Sequence, residues 1–346
     1  MKKIRYYIYT AAVFLFIFLL IGAGLSANAQ KAVREGLKLC ADGLVPSLFI
    51  SMTVTAYINR SGLWQYLSKP LGSFAKHIFG FPEKYGFAII SGYIFGFPSS
   101  ALCCNEISER EDGDIHSRII ALGSLPSPAF VIGYVGGKLF SDVRLGLALY
   151  AVQIMSSVTV GALMKKPCRT RPENVKKVPL RLVRAMTGAV SDSAATTTVM
   201  CAFVIFFSTL AKVTASHLPA LFGKLLLGIA EISAGCQSAV SINSIIPSAV
   251  FVSAVLSFSG ISVLFQLMNA YDGLSVKKYI LIKLLMTAFS AAYTYILTAL
   301  PGIFSSLTVF AVCAFLYGKE LINSRKNEHD TESLFESGTA DTACDE

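Results

Sequence analysis

Charge is what this sequence has least of. Asp, Glu, Lys and Arg make up 15% of the 346 residues, and hydrophobic residues 54%. Soluble domains carry about a quarter charged residues, so the surface of a soluble fold of this length cannot be built from this chain. Histidine is also scarce: His77, His116, His217 and His329 stand at no metal-ligand spacing. The eight cysteines include no C-x-x-C pair, and most lie in apolar runs where they act as small hydrophobes. The vicinal pair Cys103–Cys104 is open to redox or metal chemistry, or to the same packing role. No phosphate-binding G-x-x-x-x-G-K-[ST], no H-E-x-x-H, no G-x-S-x-G and no grouped Ser/His/Asp set occurs. These absences argue against ATP hydrolysis and against an enzyme, and no catalytic residue, metal or cofactor is expected. The net charge of +9 lies in short loops between apolar runs. There it reads as membrane topology and not as a nucleic-acid surface, because no basic helix or aromatic platform accompanies it.

What is present is a series of apolar segments, near 5–26, 43–60, 85–104, 118–138, 140–164, 186–213, 220–240, 246–270, 278–300 and 302–319. The expected fold is an all-α polytopic membrane protein, with about eight transmembrane helices plus two re-entrant or broken segments. Residues 1–27 read as an uncleaved signal-anchor helix, although Ala27-Asn28-Ala29 resembles a signal-peptidase site. Residues 28–42 read as an amphipathic helix or linker, and 61–84 as interfacial. The stretch 165–184 holds eight basic residues and one acidic residue, Glu173, and is expected to be cytoplasmic. Residues 28–164 and 185–300 flank it as two repeats. Residues 301–320 form a last helix, and 321–346 a polar, disordered cytoplasmic tail.

Charge parity constrains the path. With the N-terminus in the cytoplasm, full crossings by 85–104, 118–138 and 140–164 would put the basic loop 165–184 outside. One segment must therefore return to its own side: 85–104, broken at Gly96–Ser100, or 118–138, broken at Leu125–Pro128. The second half needs the same of 220–240 or 246–270, so that Lys277, Lys278 and the C-terminal tail fall inside. Both termini are then cytoplasmic, and the halves run in opposite directions. Val33-Arg34 with Asp42 matches Val183-Arg184 with Asp192 at one offset, and GFPSSA at 96–101 loosely matches AGCQSA at 234–239. Inverted repeats with paired broken segments are the mark of many secondary transporters.

Five clusters carry candidate chemistry. Gly92, Gly96, Pro98, Ser99, Ser100 and Asn105 read either as a proline kink with a glycine packing face or as non-helical backbone lining a wet cavity. Ser127 stands between Pro126 and Pro128. A helix restarting near Ala129 would offer amides to an anion or carbonyl, the alternative being a surface loop. Glu231, inside an apolar run with Gly235, Gln237 and Ser238 after it, is a coupling-ion or proton site or a structural partner. Ser257, Ser259, Gly260, Ser262, Gln266 and Asn269 mark a polar stripe, with Ser259, Ser262 and Gln266 on one helical face; it reads as the lining of a pathway or as glue between helices. Asp192 with Ser191 and Ser193, and likewise Asp42, read as helix caps.

The stretches SGYIFGFPSSA, SPAFVIGYVG, EISAG and SFSGISVLFQ resemble the YlbJ family of sporulation integral membrane proteins, over roughly residues 30–300. That family is placed within a wider group bearing the nucleoside-recognition Gate domain, similar to concentrative nucleoside transporters, ferrous iron transporters and spore maturation proteins. The resemblance implies movement of a small anionic metabolite, dipicolinate, across a membrane during spore formation. It would carry the Gate roles onto Gly92, Gly96, Pro98, Ser127, Pro128, Glu231, Gly235, Gly260 and Gln266. The chain departs from the family at Ser100-Ala101-Leu102, where Gly-Ala-Lys is usual, and at Ser124-Leu125, where an Asn pair is usual.

The function expected is a cell-membrane permease for a small polar, anionic or nucleoside-like solute. Its binding residues are Gly96, Pro98, Ser99, Ser100, Ser127, Pro128, Gly235, Gln237, Ser259, Gly260, Ser262 and Gln266, with Glu231 for coupling. The alternative is a non-transporting membrane protein that binds a partner in spore assembly. The partners expected are solute, lipid, and a second copy or a sporulation membrane protein.

Overall fold

The computed structural model describes residues 27–107, 113–165 and 182–299. The expected signal anchor, the last helix, the tail and most of the basic loop lie outside the described residues. Within them, α1 (Ala27–Leu39) passes through a π-turn at Cys40–Leu44 into α2 (Val45–Ser61). Pro46 sits in the first turn of α2, where no amide is missed, and Gly62, at φ +81°, ends it. Next come α3 (Trp64–Phe74), α4 (Gly86–Phe95), α5 (Ser99–Ile107), α6 (Gly113–Gly123), a π-wound helix (Ala129–Leu139) and α7 (Val143–Leu163). The second half has α8 (Leu182–Ala215), α9 (Ala220–Ala230), α10 (Ile232–Ala239), α11 (Ile245–Phe258), α12 (Gly260–Ala270) and α13 (Val276–Ala299). No strand occurs among the described residues.

Four of these are long and apolar enough to cross a membrane: α7, α8, α11 with α12, and α13. The α1–α2 pair, bent by 58°, makes a fifth. Leu221, Phe222, Leu281 and Leu284 are all more than half exposed, as side chains facing lipid are.

The expected break count is corrected. Beyond the bent α1–α2 pair, each half carries two broken elements, not one, and in each half the first of these two doubles back. In α4/α5, Ser91 Oγ lies 3.5 Å from Cys103 Sγ, and Gly92 packs against Ser100. In α9/α10 a Cβ on Gly235 would stand 2.6 Å from Gly228 Cα. The second broken element of each half, α6 with the π-wound helix and α11 with α12, continues instead of folding back.

The α1–α2 pair lies antiparallel to α8. Glu35 pairs with Lys212 at 2.7 Å, Thr53 with Ser193 at 2.7 Å and Arg60 Nη2 with Asp192 at 2.8 Å. This corrects the reading of Asp192 as a cap: it lies inside α8 and holds Arg60. Asp42 is no helix start either, since it falls in the π-turn joining α1 to α2. Contacts Asp114–Lys278, Ser117–Ser275 and Ser124–Lys283 set α6 parallel to α13. Ser253–Thr294 and Ser259–Lys283 set α11 antiparallel to it, so α6 opposes α11. Arg118–Met164 and Leu122–Ser157 set α6 antiparallel to α7, so α7 also opposes α13.

Candidate functional site

The four breaks have separate local causes. Gly96 takes φ +82°, open to glycine alone at little cost, and Pro98 follows it. Residues 124–128 hold two prolines. Glu231 is extended, at φ −150° and ψ 131°. Ser259 and Gly260 are both left-handed, at φ +69° and +79°.

These breaks converge. The Phe97 amide donates to Leu125 O at 2.8 Å, and a Cβ on Gly96 would meet Ser127 N at 2.8 Å. The Ser259 hydroxyl lies 3.3 Å from Ser124 O. A Cβ on Gly260 would meet Ala230 O at 3.2 Å and Glu231 Cα at 3.3 Å. The segment 124–128 is thus the hub of the crossing.

Lys283 of α13 enters this crossing. Its Nζ donates to Ser124 O at 2.6 Å and to Ser259 Oγ at 3.1 Å, and the side chain is fully buried. Among the described residues no carboxylate lies within ion-pair distance. Hydrogen bonds to a charged group are worth about 1.5–3 kcal/mol each, whereas burying an unpaired ion costs several. Two neutral acceptors therefore offset the burial only in part.

A second polar group lines a cavity beside the hub, walled by Phe97, Pro126, Ser127, Glu231, Ser233 and Gln266 among mainly apolar neighbours. Glu231, fully buried, caps α10: its Oε2 accepts from the Ala234 amide at 2.8 Å. Its Oε1 and Gln266 Oε1 have no partner of full hydrogen-bonding geometry, and Ser233 lies beside the Glu231 carboxyl. Gln266 Nε2 is used by Ser262 Oγ at 3.1 Å. Each unmet buried group costs about 1–3 kcal/mol, so a water, a proton or a solute donor belongs at these oxygens.

Of the residues expected to bind solute, Ser127 and Gln266 line this cavity together with Glu231. Gly96, Gly235 and Gly260 make close backbone contacts instead, and Pro98 and Pro128 precede helix starts. Ser99 turns to Thr55 at 3.1 Å. Ser100 packs between Gly92 and Gly123. Gln237 donates to the Tyr134 hydroxyl at 2.7 Å. The expected stripe is also corrected: Ser259 lies in the break, so only Ser262 and Gln266 share a face of α12. The GFPSSA–AGCQSA match fails too, since the first straddles a turn and the second lies inside α10.

Sequence reasoning missed Lys283, Ser124 and Ser233. It also missed His116, which is buried between the Tyr271 hydroxyl at 2.6 Å and the Tyr85 hydroxyl at 2.8 Å, tying the halves together. A lysine seven residues into an apolar helix was the available signal for Lys283.

The chain is 23% identical over 333 residues to the sporulation integral membrane protein YlbJ of Bacillus subtilis (strain 168), covering 81% of each. The YlbJ likeness is borne out. It spans both halves and the crossing, and it supports a membrane protein related to a sporulation integral membrane protein. No family model matches the chain, and no solved structure matches it.

Proposed function

We propose that this protein is a membrane permease for a small polar solute, built as two inverted halves whose broken elements form the gate. The observation that carries this reading is the convergence of four helix breaks around unmet polar atoms inside an apolar chain. Non-helical backbone at membrane depth persists only where it is buried in protein or lines a wet path. Inverted halves with such breaks are built for alternating access.

With 165–184 on the cytoplasmic side, the antiparallel pairings give one consistent path. The hairpin α4/α5 enters from the cytoplasm and α9/α10 from the opposite side, while the second broken element of each half crosses. Lys277 and Lys278 then fall inside, as the positive-inside rule requires.

Gln266 Oε1 accepts, as does Glu231 Oε1 when ionised, which favours a solute bearing hydroxyl or N–H donors there, as a nucleoside-like solute does. The helix starts are already engaged: Ser127 Oγ accepts from Phe130 N at 3.3 Å, and Glu231 itself caps α10. The test is flux into liposomes for a panel of nucleosides and carboxylates, dipicolinate included, with wild type and Glu231→Gln. Uptake of at least one solute by wild type, reduced about tenfold or more in the variant, is expected. No uptake of any panel member would overturn the permease reading and favour a partner-binding role in spore assembly.

A further inference from the structure

The Glu231 cavity accounts for a solute's donors and leaves Lys283 without an opposite charge. We infer that Lys283 is an anion subsite, which receives a carboxylate or comparable oxyanion of the solute. This inference rests on the permease reading only in assigning that anion to the transported solute.

Two observations carry it. Lys283 Nζ is fully buried and bonds only neutral acceptors, Ser124 O and Ser259 Oγ. The buried Tyr279 hydroxyl, one turn earlier on α13, lies beside the Ser124 side chain, and Nζ stands 5.8 Å from its ring centroid. It places a second hydroxyl donor beside the same segment. A clamp alone would be served as well by an apolar side chain, which needs no counter-charge.

Lys283 lies outside the Glu231 cavity and is linked to it through the hub segment, where Ser124 meets Lys283 and Ser127, three residues on, lines the cavity. Binding would draw the ammonium from Ser124 O to the carboxylate and loosen the contact between the two second breaks.

The test uses the full chain in lipid nanodiscs. Thermal unfolding is followed with acetate, benzoate and isophthalate against chloride at equal ionic strength, and with the uncharged diamide isophthalamide. For wild type, at least one carboxylate raises the midpoint and the diamide does not. Lys283→Met folds with an equal or higher midpoint and binds that carboxylate at least tenfold more weakly, while Lys283→Arg retains part of the response. A carboxylate response unchanged in Lys283→Met, or no carboxylate response in wild type, overturns the subsite. Flux separates the two claims. Uptake of an uncharged solute without a carboxylate response leaves the permease standing and removes the subsite. A Lys283-dependent response without any flux does the reverse.

Discussion

Glu231 does two jobs with its two oxygens, and substitutions can separate them. Oε2 caps α10 and Oε1 faces the cavity. Glu231→Gln keeps an oxygen for the Ala234 amide, so the protein should fold with a midpoint close to wild type while flux falls. Glu231→Ala removes the cap as well and should cost about 1 kcal/mol of stability, read as a lower unfolding midpoint. Glu231 was legible in the sequence because a lone carboxylate in an apolar run is expensive. Lys283 was not, because it follows Lys277 and Lys278 closely enough to be taken for part of an interfacial basic cluster. Its neighbour Ser124 acts through its backbone carbonyl, which no side-chain pattern reveals.

At the scale of elements, the prolines of the first half announced their breaks, and the second half broke without any. Glu231 and Ser259 interrupt their helices through backbone conformation, φ −150° and φ +69°, which local sequence does not dictate. Parity reasoning asked for one returning segment per half. It could not see the additional break in each crossing element, because that break leaves the count of crossings unchanged. Two predictions belong here. Gly260→Ala places a Cβ at φ +79° against Ala230 O and should destabilise by about 1–3 kcal/mol, with flux falling in parallel. Ser91→Cys should form a disulfide with Cys103 on oxidation, detected by peptide mass spectrometry, because the α4/α5 hairpin brings those positions together. A straight helix over 86–107 would hold them apart.

Over the whole molecule, the proposed opposition of the halves rests in the sequence on charge alone, through the basic stretch 165–184 and the pair Lys277–Lys278. The pairing of α1–α2 with α8 was not legible there, since Arg60 with Asp192 and Glu35 with Lys212 join residues far apart in the chain. In the proposed inverted arrangement the turn before α7 and the turn before α13 are equivalent positions, so they must lie on opposite sides of the membrane. Ser141 and Asp272, both exposed, mark those turns. The decisive measurement is labelling of Ser141→Cys and Asp272→Cys, each in a cysteine-free background, with a membrane-impermeant maleimide applied to intact cells and to inverted vesicles. Ser141→Cys should react from outside and Asp272→Cys from the cytoplasmic face; reaction of both from one face would contradict the inverted halves and the gate built on them.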